Sequence, residues 1–196
     1  LYNSLFTLLR ILQDMKFIKS QDKYVSDIIT ALKEKGDEHF KENSKAFQAA
    51  MALKGYVPVI YSITDYNDSA GKRFKGQLNE NSKIHAWAAE YPEMNHNEIV
   101  GWETAGESGI NYKQVLLMDE EIPSRIKKRI SIINNLLKGE NIDILTFSGT
   151  GITFKERLID LIYFCDWVTY YLALLNRKDP GEIDFIHHLK NKMAED

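Results

Sequence analysis

The chain has 196 residues, 44% of them hydrophobic and 27% charged, a composition that excludes a disordered tract, collagen or an extended coiled coil and suits one large domain, or one domain with a fragment. With 25 Lys and Arg against 28 Asp and Glu, no basic excess exists to hold a phosphate backbone, and no nucleic-acid partner is expected. The single cysteine, Cys165, cannot form an internal disulfide or a zinc site built on several thiolates, so a reducing, cytoplasmic setting is the expectation.

Residues 1–18 space Leu5, Leu8, Leu9, Ile11 and Leu12 along one helix face. A second helix is predicted over 22–35, with Val25, Ile28, Ile29 and Leu32 at three- and four-residue spacing and Gly36 as its stop. No charged-then-apolar leader opens the chain, and its first residue is Leu1 rather than Met, so it reads as a piece of something longer. A helix over 43–54 ends at Gly55. The continuous apolar run VPVIY at 57–61 reads as a buried parallel strand, as do runs at 84–89, 114–118 and 143–147. Helical patterns fall between them at 68–82, 122–138 and 152–176, and a last helix over 181–193 follows Pro180. The most apolar stretch, Leu158 to Leu175, carries Asp160 and Asp166. Charge at the centre of a membrane helix is costly, so this stretch reads as a buried helix and no membrane contact is expected.

Strand–helix alternation over four strands argues for an α/β fold, a mostly parallel sheet flanked by helices. The best boundary is the polar stretch near 36–42, which sets a leading helical segment, 1–36, apart from a body, 37–196. In such sheets ligands collect beyond the carboxyl ends of the strands. That points to the loops after Tyr61, Ala89, Met118 and Phe147.

The densest polar stretch, 77–98, holds Glu80, Lys83, His85, Glu90, Glu93, His96 and Glu98. Glu80 falls late in a predicted helix, where a carboxylate meets unfavourable partial charge. It is either a solvated partner of Lys83 three residues on, or a catalytic base. His96, between two Asn in a loop, is either a hydrogen-bonded surface residue or the best general acid–base group in the chain. His96 and Glu98 are two residues apart and His85 falls on a predicted strand, so no metal site is expected.

The blocks QLNENSK at 77–83 and PEMNHNEIVGW at 92–102 carry a resemblance. With ENSKAFQAAMALKGYVPVIY upstream and FKERLIDLIYFCDWVTYYLALLNRKDP downstream, the chain resembles the C-terminal half of the bifunctional phosphoglucose/phosphomannose isomerase family. The resemblance implies the sugar-isomerase (SIS) fold, a flavodoxin-like three-layer sandwich, and makes residues 1–36 connecting helices from the end of a preceding SIS half. It implies aldose–ketose isomerisation of a sugar phosphate through a cis-enediolate, without metal or cofactor. Glu80 stands at the family's base position, His96 at that of the ring-opening group supplied by a neighbouring subunit, and Lys190 matches the Lys of the last helix. A homodimer with a shared site is implied. Ser69 and Lys72, early in the helix after VPVIY, are candidates to touch substrate.

Two departures stand out. The phosphate-holding loops belong to the family's N-terminal half, which these residues do not contain, and SGTGIT at 148–153 reads as a strand-to-helix turn rather than a phosphate cradle. The family links phosphomannose activity to a Thr near the last helix, and no Thr follows Thr169. A non-catalytic sugar-phosphate-binding domain with a regulatory or dimerisation role is the alternative, distinguished by whether both Glu80 and His96 are needed. Trp87 is expected in the core, and the aromatic stretch 163–171 in the core or a dimer interface.

Overall fold

The computed structural model describes residues 2–139 and 142–195. They divide into two compact units, 1–41 and 42–196.

The first unit is a helical hairpin of α1 (Tyr2–Asp14) and α2 (Asp22–His39). Gln13 links the two: its Oε1 accepts from the Gln21 amide at 2.6 Å, and its Nε2 donates to Asp22 Oδ1 at 3.0 Å. The stop expected at Gly36 is not used. One glycine inside a helix costs only about 1 kcal/mol relative to alanine, and α2 runs on to His39.

In the second unit α3 (Lys45–Leu53) leads into β1 (Val57–Ile63), α4 (Asp68–Glu80) and β2 (Trp87–Tyr91). Two 3-10 segments, Glu93–Asn95 and Glu98–Glu107, precede β3 (Tyr112–Met118), α5 (Ser124–Gly139) and β4 (Ile144–Ser148). Then come α6 (Phe154–Leu175) and α7 (Asp184–Met193). All strands are parallel, in the order β2-β1-β3-β4, so this is the three-layer α/β sandwich expected.

Alternation along the strands sends side chains to two cores. Ile60, Val115, Leu117 and Phe147 meet Ala46 and Ala50 of α3, Phe74 and Leu78 of α4, and Leu161, Val168 and Leu172 of α6. Tyr61, Ile63, Tyr91 and Leu116 meet Met94 and Trp102 of the 3-10 segments and Ile130, Ile133 and Leu137 of α5. Each fully buried leucine among these contributes about 1.5–3 kcal/mol. On the first face, the close approach of α4 to β1 leaves no room at Gly71, where an added Cβ would lie 2.8 Å from Ser62 Oγ.

Three expectations need correction. The second strand begins at Trp87, not Ile84, because Ile84 is tied to the end of α4: its amide donates to Leu78 O and its carbonyl accepts from Asn79 Nδ2. His85 therefore precedes the strand. Trp87 is not core. On an edge strand it is 50% exposed, with its ring against Tyr112 at 6.0 Å. And α6 is covered on one side only. Cys165, Val168 and Leu172 are buried, whereas Tyr170 and Leu174 are exposed. By length and composition α6 could cross a membrane, but its Asp166 holds Arg73 and Gln77 of α4.

Candidate active site

Because α4 joins two parallel strands, it runs from their carboxyl edge back to their amino edge. Glu80 is its last residue, so it stands at the amino edge of the sheet. Its neighbours are all tied down. Gln77 Nε2 donates to Asp166 Oδ1 at 3.3 Å, and Asn79 Nδ2 to Ile84 O at 2.7 Å. Asn81 Nδ2 donates to Thr169 Oγ1 at 3.0 Å, and Ser82 Oγ to Thr169 O at 2.8 Å. Leu78, Ser82 and Thr169 are buried. The QLNENS block is thus a clamp of α4 onto α6 and the approach to β2. Glu80 is the residue the clamp leaves exposed, its carboxylate without a hydrogen bond or ion pair among the described residues. The expected pair with Lys83 is not made. Lys83, at φ 57°, donates instead to the Glu80 carbonyl at 2.6 Å.

His96 lies beyond the other end of β2. It caps the first 3-10 segment through its amide, which donates to Glu93 O at 3.0 Å, and it is exposed. The loop around it is anchored on both sides. Met94 is buried, and Glu98 Oε1 accepts from the hydroxyl of the fully buried Tyr61 at 2.8 Å. Trp102 Nε1 donates to the same hydroxyl at 2.7 Å. Burial, reinforced by Glu98, pushes the Tyr61 phenol far above its usual range.

Glu80 and His96 of one chain therefore sit at opposite edges of the sheet. The five residues of β2 between them span about 13 Å by themselves. A base and a ring-opening acid for one sugar have to stand closer than that.

Ser69 and Lys72 are on the first turns of α4, about 16 and about 12 Å from Glu80 along its axis. The structure does not bring them together with Glu80 in one chain. Lys72 is also already engaged, with Glu90 Oε1 at 2.8 Å and Asp68 Oδ2 at 3.5 Å. Lys72, opposed by partial burial and aided by Thr64, holds the Glu90 carboxyl below its usual range. Lys190 projects from α7, none of whose residues is buried; Phe185 is 93% exposed.

The SGTGIT segment is a turn, and three of its backbone donors are spent internally. Thr150 N and Oγ1 donate to Asp160 Oδ2, at 2.7 and 2.8 Å. Ile152 N and Thr153 N donate to Glu156 Oε2, at 2.8 and 2.9 Å, and Thr153 closes a capping box with Glu156. Just beyond, Arg157, 4% exposed, is gripped at its Nε and Nη2 by Asp119 and at Nη2 by Glu121. No group of three or more His, Cys, Asp or Glu among the described residues is arranged to hold a metal ion. Burial pushes the Cys165 thiol well up, which suits an inert core residue.

Against this geometry, residues 42–193 match the family model described as the bacterial phospho-glucose isomerase C-terminal SIS domain. The chain belongs to that family. Two curated relatives are named bifunctional phosphoglucose/phosphomannose isomerase. The one from Aquifex aeolicus is 33% identical over 165 residues, covering 82% of this chain and 51% of the relative. The one from Caldicellulosiruptor bescii is 31% identical over 196 residues, covering 98% of this chain and 58% of the relative. The SIS chain thus spans about half the length of the curated relatives it matches. A solved glucose-6-phosphate isomerase like protein from Thermus thermophilus superimposes with a TM-score of 0.58 at 21% identity, over 71% of this chain and 46% of that one. That likeness shows the fold.

The site features missed from sequence are the Tyr61–Glu98–Trp102 connection and the Thr169 anchor. Both join residues far apart in the chain, and the only local signal was the polar density of 77–98.

Proposed function

We propose that this SIS domain supplies the acid–base half of a cytoplasmic aldose–ketose isomerase that interconverts glucose 6-phosphate, and mannose 6-phosphate, with fructose 6-phosphate. Residues 1–36 are the link from another SIS half, which holds the phosphate. Glu80 takes the proton from C2 of the open-chain aldose as the carbonyl electrons move to O1. The resulting cis-enediolate passes its hydroxyl proton from O2 to O1, and Glu80 returns its proton to C1, leaving the ketose. Both C2 epimers give the same planar enediolate, so one site serves both aldoses. His96 of a second subunit opens the ring by moving a proton between ring oxygen and O1. Lys190 steadies the developing negative charge, and no cofactor is needed.

One observation carries this reading. Both motif blocks are anchored so that Glu80 and His96 stand exposed at opposite ends of β2, an arrangement that suits a composite site in a two-fold dimer and that a pure sugar-phosphate binder does not require. The test is complementation. In the intact enzyme, Glu80→Gln and His96→Ala should each lose about 100-fold or more in turnover. Mixed and allowed to exchange subunits, equal amounts give about half mixed dimers, each with one complete site. Activity should return to roughly a quarter of wild type if the sites act independently. No recovery after verified exchange rejects the shared site, and full activity of Glu80→Gln alone rejects the base.

A further inference from the structure

The polar chain from Trp102 through Tyr61 to Glu98 is more than a core phenol requires. One partner would satisfy a buried hydroxyl; here the Tyr61 oxygen accepts from Trp102 Nε1 at 2.7 Å and its proton is given to Glu98 Oε1 at 2.8 Å. Tyr61 lies in β1, the strand beside β2, with no exposure. Its ring packs against Tyr91, the last residue of β2, with centroids 5.9 Å apart, and against Trp102 at 6.4 Å. Glu98 follows His96 by two residues, and Asn97 Oδ1 accepts from the Glu98 amide at 2.6 Å. The loop that carries His96 has only 3-10 structure of its own, whose short-range bonds hold geometry weakly. Both Glu98 and Trp102 of the loop attach to the Tyr61 hydroxyl, and Glu98 does so through a carboxylate, which gives a stronger hydrogen bond than a neutral acceptor.

We infer that Tyr61, Glu98 and Trp102 are positioning residues for His96, locking its loop to β1 so that the imidazole projects from a fixed point. This rests on the reading of His96 as the ring-opening group. The group must meet both ring oxygen and O1 of a substrate bound elsewhere, and misplacement by about 1 Å can cost 100-fold.

The experiment uses the intact enzyme. Tyr61→Phe keeps the ring packing and removes the donor; Glu98→Ala breaks the same bond from the loop side without touching the core; Glu98→Gln keeps an acceptor. Tyr61→Phe and Glu98→Ala should lower kcat on glucose 6-phosphate by about 10- to 100-fold, and Glu98→Gln should restore most of it. Binding of 5-phosphoarabinonate, an open-chain mimic that needs no ring opening, should stay within about twofold of wild type, as for a defect confined to ring opening. In histidine-labelled protein the His96 resonance, assigned by its loss in His96→Ala, should move in the first two variants and return in Glu98→Gln. If His96→Ala itself leaves turnover intact, the reading of His96 fails and takes this inference with it. If His96→Ala is inactive, yet folded Tyr61→Phe and Glu98→Ala keep wild-type kcat and an unmoved His96 resonance, the positioning role alone is overturned. Equal weakening of the mimic in both variants also overturns it, because that marks a general distortion.

Discussion

Replacing Gly149 with alanine measures how closely α6 sits against the end of β4. A Cβ built there would lie 1.8 Å from the Arg157 carbonyl oxygen and 2.8 Å from the Leu161 amide nitrogen, both backbone atoms of α6. Contacts below 3.0 Å are essentially never made by real Cβ atoms, so the helix must withdraw by more than an ångström. No side chain can swing aside to relieve it. Withdrawal also pulls Arg157 from Asp119 and Glu121, which it reaches at 2.7–3.1 Å. Overpacking costs about 1–3 kcal/mol, and immovable backbone puts this case near the top, about 3 kcal/mol. For a chain of this size that lowers Tm by about 6–12 °C. Gly76 is the control, mid-helix in α4 with nothing within 4 Å of the added carbon. There alanine should raise stability by about 0.5–1 kcal/mol. Thermal unfolding followed by far-ultraviolet circular dichroism reads both. A Gly149→Ala midpoint within about 2 °C of wild type, with Gly76→Ala raised as expected, would show that the first turns of α6 can slide, and would refute the packing argument.

Thr169→Val should cost about 1–2 kcal/mol, because it leaves the Asn81 amide without its acceptor. Turnover should fall with it, since the same anchor presents Glu80, and a variant matching wild type in both melting and rate would separate the clamp from the site. Acid should unfold the domain through its paired carboxylates. The Asp143 carboxyl is held below its usual range mainly by Lys113, and that of Glu90 by Lys72; at Asp119 burial pulls upward most strongly, but the Arg157 hydrogen bonds, the Glu121 amide and the charges of Arg157 and Lys127 together outweigh it. A depressed folded pKa stabilises above the unfolded value and loses that stabilisation as pH falls through the folded one. Tm should therefore hold from pH 7 to about 5 and drop below about pH 4, less steeply in Asp143→Asn; a flat profile to pH 2.5 contradicts it.

The sheet was legible because β1, β3 and β4 are continuous apolar runs, and α6 because its apolar length has few rivals. What escaped did so for physical reasons. The path of residues 93–107 repeats every three residues or so, which leaves no stripe at helical or strand spacing. Ile84 looked like the start of a strand because its apolarity says nothing about Leu78 and Asn79 consuming its backbone groups. Trp87 looked buried because an edge position is a property of the sheet, not of the residue. Charge spacing suggested a Glu80–Lys83 pair, but the left-handed backbone at Lys83 aims its ammonium at a carbonyl instead. Motif resemblance alone singled out Glu80 and His96 as candidates, whereas their separation to opposite edges emerged only once α4 was seen to run antiparallel to β1. Tyr61 meets its partners across 37 and 41 residues, a distance no local pattern reports.

The turn between β4 and α6 resembles an anion cradle in outline, but Asp160 and Glu156 already occupy its Thr150, Ile152 and Thr153 amides. Groups tethered by a few residues act at an effective concentration of the order of millimolar or higher. A free phosphate below that level is outcompeted by carboxylates that cannot diffuse away. Those three amides are thereby withdrawn from any anion in solution. The carboxylates that fill them both come from the first turns of α6, so the turn fastens the start of that helix to the end of β4.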